Sequence, residues 1–134
     1  MSADRPIGID LDLRLQEVFH LDQRISASTS ELEPLPTPEK LYHFYRIEHK
    51  ADLFGYECDE VPVAYIALQM VDNRVLEVLN LGTDPSHQGH GYGKRLMLFA
   101  EEVARERRMN SIILYTTTTN PAAAFYRSLG YTET

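Results

Sequence analysis

The stretch Asn80–Leu96 (N-L-G-T-D-P-S-H-Q-G-H-G-Y-G-K-R-L) constrains this chain more than any other. A strand-like run enters it and a helix-like run leaves it. Between them Gly89, Gly91 and Gly93 fall at every second position. Glycines that close together let a backbone turn sharply and bring its N–H groups to one point without Cβ obstruction. A helix starting there adds unpaired first-turn amides and the positive end of its dipole. Such a loop holds an anion, most often a phosphate.

Two phosphate patterns fail. The dinucleotide fingerprint G-x-G-x-x-G, begun at Gly89, meets Lys94 where its third glycine belongs. The nucleotide loop G-x-x-x-x-G-K-[ST] matches at Gly93-Lys94. It fails at Gln88, and again at Arg95, where a hydroxyl should hold magnesium. What fits is Q-x-x-G-x-G, from Gln88 to Gly93. His87 and His90 lie close together but offer too few ligands for a metal site, so no metal is expected.

The rest of the chain supplies a frame. Ile7, Ile9, Leu11 and Leu13 alternate with polar or small residues, predicting a strand near 7–13 and a helix near 15–25. Ser26–Pro38 is a loop by composition. Thr37-Pro38 reads as an N-cap and first helical position, opening a helix near 38–50. The aromatic cluster Tyr42, Phe44, Tyr45 leaves a strand open as the alternative. Leu53–Glu57, Val61–Met70 and Val75–Leu81 read as a three-stranded antiparallel meander, the last strand central and buried. Leu96, Phe99, Ala100, Val103 and Ala104 recur at helical spacing after the glycines, with Glu101 and Arg105 as an outer i,i+4 pair and Asn110 as a stop. Ser111–Thr117 is a further strand. Asn120-Pro121 opens a last helix, with Phe125 and Leu129 on its apolar face and Gly130 beyond its end.

With 134 residues, 43% hydrophobic and 25% charged, this is a single soluble domain. No apolar run approaches the ~20 residues of a membrane span, so no membrane partner is expected. The first residues lack a secretory pattern, and the lone Cys58 excludes an intrachain disulfide. A cytoplasmic protein is expected. A formal net charge of −7 argues against nucleic acid as a partner and is compatible with a cationic acceptor, though acidity also serves solubility.

L-N-L-G-T-D-P-S-H-Q-G-H-G-Y-G-K-R-L followed by T-N-P-A-A-A-F-Y-R-S-L-G-Y resembles the two acetyl-CoA motifs of the GNAT superfamily of N-acyltransferases. The resemblance covers about residues 61–131. It implies an α+β, three-layer fold: a mixed, mainly antiparallel sheet with helices on both faces. Residues 1–52 would form the acceptor side and 61–131 the acetyl-CoA core. The implied activity is direct attack of a primary amine, on a small molecule or peptide, at the thioester of acetyl-CoA. The alternative is an acyl-CoA-binding module without turnover.

Site residues follow from the same resemblance. The pyrophosphate falls to the amides of Gln88, Gly89, His90, Gly91, Gly93 and Lys94, with Lys94 and Arg95 able to add charge. The pantetheine arm falls to the backbone of Leu81 and Thr83, whose amides could polarise the thioester carbonyl. Asn120 would hydrogen-bond the arm as well as cap its helix. Tyr126 would protonate the leaving thiolate, Phe125 packing while Tyr126 faces the cofactor. Glu77, the one carboxylate in the fourth strand, is the candidate base; it could instead face solvent or pair with an arginine. Asn80 is the runner-up, as a water-positioning group. Cys58 reads as an inert thiol.

The family's sheet adds two strands after Gly130-Tyr131, and this sequence reaches only Thr134. The fifth strand is then expected to be an apolar open edge, in a truncated chain or in one covered by a second copy as a homodimer.

Overall fold

A computed structural model describes residues 5–27, 35–116 and 121–133. The chain runs β1 (Ile7–Ile9), α1 (Leu11–Ala27), α2 (Pro38–Tyr42), β2 (Asp52–Cys58), β3 (Val61–Met70), β4 (Val75–Thr83), α3 (Tyr92–Glu106), β5 (Ser111–Leu114) and α4 (Pro121–Ser128). The sheet order follows the chain, β1 to β5. The first four strands are antiparallel and β5 is parallel to β4. The fold is the expected α+β arrangement, an open mixed sheet with helices on both faces.

β3 shows why both faces are covered. Pro62 to Leu68 is an unbroken buried run. Ala64, Ile66 and Leu68 pack toward α3, with Leu96, Met97, Phe99 and Ala100. Tyr65 and Ala67 pack toward α1 and α2, with Val18, Leu21, Ile25, Leu41 and Tyr45. Period-two alternation assigns these neighbours to opposite layers, so a strand buried on both sides reads as continuously apolar.

Several boundaries differ from expectation. The first strand ends at Ile9, not near residue 13, because Asp10 starts the helix. Its carboxylate accepts the Asp12 amide at 2.9 Å, and its carbonyl accepts the amides of Leu13 and Arg14. α1 breaks at Arg14 (φ −125°, ψ 24°). There the Arg14 guanidinium engages Glu17, Glu57 and the Glu60 carbonyl, tying the break to the β2–β3 hairpin. Thr37 does cap α2, accepting the Lys40 amide at 3.1 Å, and the strand alternative for Tyr42–Tyr45 is excluded. Beyond Tyr42 the helix widens into π-helical backbone from His43 to Glu48.

α3 ends at Glu106, four residues before Asn110. Glu101 accepts the Tyr131 hydroxyl at 3.1 Å, so among the described residues its carboxylate is engaged by Tyr131 rather than in an ion pair with Arg105. β4 is half-buried rather than fully buried and extends to Thr83. β5 stops at Leu114, short of Thr117, which lies outside the described residues. Among the described residues β5 pairs only with β4, leaving its other edge open.

Candidate functional site

Three features meet where β4 hands over to α3. The first is a split in the sheet. β4 and β5 pair from Val75↔Ser111 to Val78↔Leu114 and no further, while β4 runs on to Thr83. The edge of β4 that faced β5 is therefore released from Leu79 onward among the described residues. Leu81 and Thr83 lie on this released stretch.

The second feature is a bulge at the mouth of that split. Ala67 faces Asn80 and Leu68 faces Val78, so Leu79 is an extra residue. A bulge moves every following side chain to the opposite face. Leu76 and Val78 pack toward α3, and simple alternation would send Asn80 there too. Instead Leu79 and Asn80 both face α1 and α2, and Leu81 packs toward α3. Asn80 Nδ2 donates to the hydroxyls of Tyr45 (3.0 Å) and Tyr65 (2.9 Å), and its Oδ1 accepts the Leu81 amide at 2.9 Å.

The third feature is the glycine loop. Asp84 opens it, accepting the Ser86 amide (3.1 Å) and hydroxyl (3.0 Å) and taking the Arg24 Nε at 2.8 Å. Burial by itself would raise the Asp84 carboxyl, but the Ser86 amide, Arg24 and the Ser86 hydroxyl together hold it below the usual range. A short 3₁₀ turn over Pro85–His87 follows. Gly89 (φ +85°) and Gly91 (φ +81°) adopt the left-handed backbone that side chains resist. Gly91 is the N-cap of α3 and brings no capping side chain. The first helical bond is Arg95 N–H to the Gly91 carbonyl at 3.0 Å, so the amides of Tyr92, Gly93 and Lys94 have no partner within the helix. Gln88, Gly89, His90, Gly91 and Lys94 are exposed.

Arg95 differs from Lys94. It donates to the His90 carbonyl at 2.8 Å, and its guanidinium lies 4.9 Å from the Tyr92 ring centre and 5.2 Å from that of Tyr56. It braces the loop from behind, so Lys94 alone of the two is an exposed cation.

α4 lies against the start of α3: a Cβ built on Gly93 would stand 3.4 Å from Phe125 Cζ. Tyr126 is half-buried beside Phe125, ring centres 5.2 Å apart. Both rings pack on the α3-side core and both stay partly exposed. Burial raises the Tyr126 hydroxyl above the usual phenol value. Asn120 lies outside the described residues.

Glu77 sits within the paired part of β4, three positions before Asn80, roughly 10 Å along a strand. It accepts Gln69 Nε2 at 2.7 Å, and Gln69 Oε1 in turn contacts His49 Nδ1 at 3.1 Å. Its neighbour on the next strand is thus a glutamine and not an arginine. Cys58 is exposed at the β2–β3 hairpin, two strands across the sheet from the released end of β4. Sequence reasoning missed Asp84, although D-P-S is itself an N-cap pattern with proline at the first position. It also missed Tyr45, Tyr65 and Asp22, which no local signal links to Asn80.

The sequence model of the acetyltransferase (GNAT) family matches residues 15–131. The chain belongs to the GNAT family of acetyltransferases. A mycothiol acetyltransferase of Thermomonospora curvata is 35% identical over 84 residues, 62% of this chain and 28% of that protein. The chain spans less than a third of the length of the mycothiol acetyltransferases it matches. Among solved structures, the PaiA N-acetyltransferase of Thermoplasma acidophilum, in complex with coenzyme A, superposes with a TM-score of 0.79 at 19% identity. The match covers 96% of this chain and 89% of that one. The ribosomal-protein-S18-alanine N-acetyltransferase of Escherichia coli gives 0.79 at 23% identity, covering 96% and 77%. These two GNAT neighbours share the fold of this chain.

Proposed function

We propose that this GNAT chain transfers an acetyl group from acetyl-CoA to a primary amine by direct attack. The observation that carries the reading is the uncapped start of α3 set beside the split between β4 and β5. Helix-start amides fit to hold an anion and a strand edge unpaired among the described residues lie one loop apart. A pyrophosphate joined to an extended amide-bearing arm needs both at once.

Acetyl-CoA supplies the activated acyl group. The amides of Tyr92, Gly93 and Lys94, with the turn from Gln88 to Gly91, bind the pyrophosphate, and Lys94 adds local positive charge against the global −7. Leu81 and Thr83 align the arm through their backbone, and Asn120 adds a further hydrogen bond to it. The Leu81 amide steadies the negative charge that grows on the carbonyl oxygen. As the amine nitrogen bonds to the carbonyl carbon, Glu77 takes the amine proton through an intervening water, given its distance from the mouth. As the carbon–sulfur bond breaks, Tyr126 gives its hydroxyl proton to the sulfur. Its raised affinity for that proton keeps it in the donating form at neutral pH.

The test is release of free thiol from acetyl-CoA in the presence of an amine panel. The relatives suggest where the panel starts: an acceptor of the mycothiol type, for which released coenzyme A is read by chromatography because the acceptor has a thiol of its own, and a peptide with N-terminal alanine. Thiol release that requires an amine supports the reading. Tight binding of coenzyme A with no release for any amine would leave a binding module in its place. Glu77→Gln is expected to lower turnover while coenzyme A still binds, and unchanged turnover would remove Glu77 as the base.

A further inference from the structure

Beneath the mouth of the split lies a polar cluster sealed in the core between α1, α2 and the sheet. Tyr65 is fully buried, Tyr45 is 1% exposed and Asp22 is 5% exposed. Tyr65 donates to Asp22 Oδ1 at 3.0 Å, and the Tyr45 and Tyr65 hydroxyls lie 2.9 Å apart. Both hydroxyls receive the Asn80 amide nitrogen, and Asn80 Oδ1 receives the Leu81 amide. Proton counting gives this chain a direction. An ionised Asp22 can only accept, so the Tyr65 proton points at it. The Tyr65 oxygen is then left to accept from Tyr45 and Asn80. The Tyr45 proton points at Tyr65, and the Tyr45 oxygen also faces Asn80 as an acceptor. Asn80 must therefore turn its NH₂ toward the tyrosines and its oxygen toward Leu81. The reverse orientation would set two donors, Asn80 Nδ2 and the Leu81 N–H, against each other.

We propose that Asp22 is a positioning residue for the acyl site: through Tyr65 and Tyr45 it fixes the orientation of the Asn80 carboxamide, and so the direction of the Leu81 amide. The role given to the Leu81 amide rests on the proposed acetyl transfer. The orientation of Asn80 does not. In the free protein Asn80 Oδ1 holds the place where an acyl carbonyl oxygen would accept from Leu81. This keeps that amide aimed at the split and satisfied until a ligand arrives.

Removing the charge on Asp22 removes the direction. A neutral group there can donate to Tyr65, the Tyr65 proton is then free to turn outward, and both Asn80 orientations become populated. The groups acting on Asp22 are Tyr65 from β3 and Tyr45 from the helix that follows α2. Arg24, on its own helix, is committed to Asp84. Burial lifts the Asp22 carboxyl above the ordinary aspartate value, opposed by the Tyr65 hydrogen bond. Its titration therefore falls at a higher pH than that of an exposed aspartate.

The test uses the full chain labelled with ¹⁵N and ¹³C. The expected result is one shared transition on lowering the pH, seen at the Asp22 carboxyl carbon, the Asn80 NH₂ and the Leu81 amide. In Tyr65→Phe the Asp22 carbon still titrates but the Asn80 and Leu81 signals no longer follow it. In Asp22→Asn those two signals sit near their acid-form positions at every pH. Signals at Asn80 and Leu81 that ignore the Asp22 titration in the unaltered protein overturn the proposal without any variant. So does a transition at Asn80 or Leu81 that persists in Tyr65→Phe. In turnover, Asp22→Asn is expected to lower kcat about tenfold with the KM for acetyl-CoA within about twofold, because the effect falls on the developing charge. Folded Asp22→Asn with unaltered kcat counts against it. If no amine supports thiol release at all, the acetyl-transfer reading fails, while the spectra still decide the role of Asp22 in orienting Asn80.

Discussion

Gly91→Ala tests the proposed pyrophosphate loop most cleanly. Gly91 holds φ +81° and ψ 13°, and a Cβ there meets nothing within 4 Å. Steric contact therefore contributes nothing, and the left-handed backbone is the whole cost, about 1–2 kcal/mol for a non-glycine residue. In a domain of this size that lowers Tm by about 3–10 °C. If the chain relieves the strain by turning Gly91 to negative φ, the amides of Tyr92, Gly93 and Lys94 no longer converge. Losing one hydrogen bond to a charged phosphate costs about 1.5–3 kcal/mol, roughly a tenfold to hundredfold rise in Kd. Gly93→Ala is the control. Gly93 lies within the helix, and the new Cβ would reach Phe125 only at the 3.4 Å limit of ordinary contact. Helix propensity favours the alanine by up to ~1 kcal/mol, so stability should hold or rise. The assays are urea unfolding and calorimetric titration with coenzyme A. A Gly91→Ala protein in which residue 91 has turned to negative φ yet which binds coenzyme A like the unaltered chain would refute the assignment of the pyrophosphate to these amides. Equal loss of stability in both variants would refute the backbone argument.

Further outcomes follow from the same geometry. Tyr126→Phe should lower kcat about a hundredfold with little change in coenzyme A binding, and the raised phenol should carry activity above the usual pH ~10 before it falls; a kcat within twofold of the unaltered protein removes Tyr126 as the proton donor. Asp84, held below its usual range when folded, adds stability that is present above an unfolded pKa of ~3.9 and lost as pH falls through the lower folded value. Comparing urea midpoints of Asp84→Asn and the unaltered chain should therefore show a gap at neutral pH that closes below about pH 4, and a pH-independent gap contradicts the cause given. The edge of β5 that is open among the described residues is proposed to pair with a second copy, so sedimentation at micromolar concentration should show a dimer that Ile113→Lys disperses; a concentration-independent monomer opposes this.

The loop was legible because its chemistry is local. Three glycines and a following amphipathic run sit within seventeen residues, and each demands a backbone state that the sequence declares. The same holds for Thr37-Pro38, whose cap formed as read. Asp10 shows how locality can mislead. Four apolar residues at alternate positions suggest a strand to Leu13, but one carboxylate able to take the Asp12 amide ends it at Ile9. A single capping bond outweighs two more turns of alternation when the strand in question pairs on one side only.

Asn80 marks where local reading stops. Its position in the chain, between Glu77 and the glycines, made it a candidate, and alternation alone would have sent it to the wrong layer. The bulge at Leu79 decides its face, and nothing in V-L-E-V-L-N-L announces a bulge. Its partners lie 15 and 35 residues away, and the carboxylate that orients them another 43 from Tyr65. In a sequence, Tyr45 and Tyr65 read as ordinary core aromatics and Asp22 as the polar face of a helix. Only packing three elements together makes a buried carboxylate acceptable, because burying it without a donor would cost several kcal/mol. A polar residue that the core tolerates for a hydrogen bond far along the chain leaves no period and no spacing. The part of this site proposed to determine direction, unlike the part proposed to bind, had to be read from the fold.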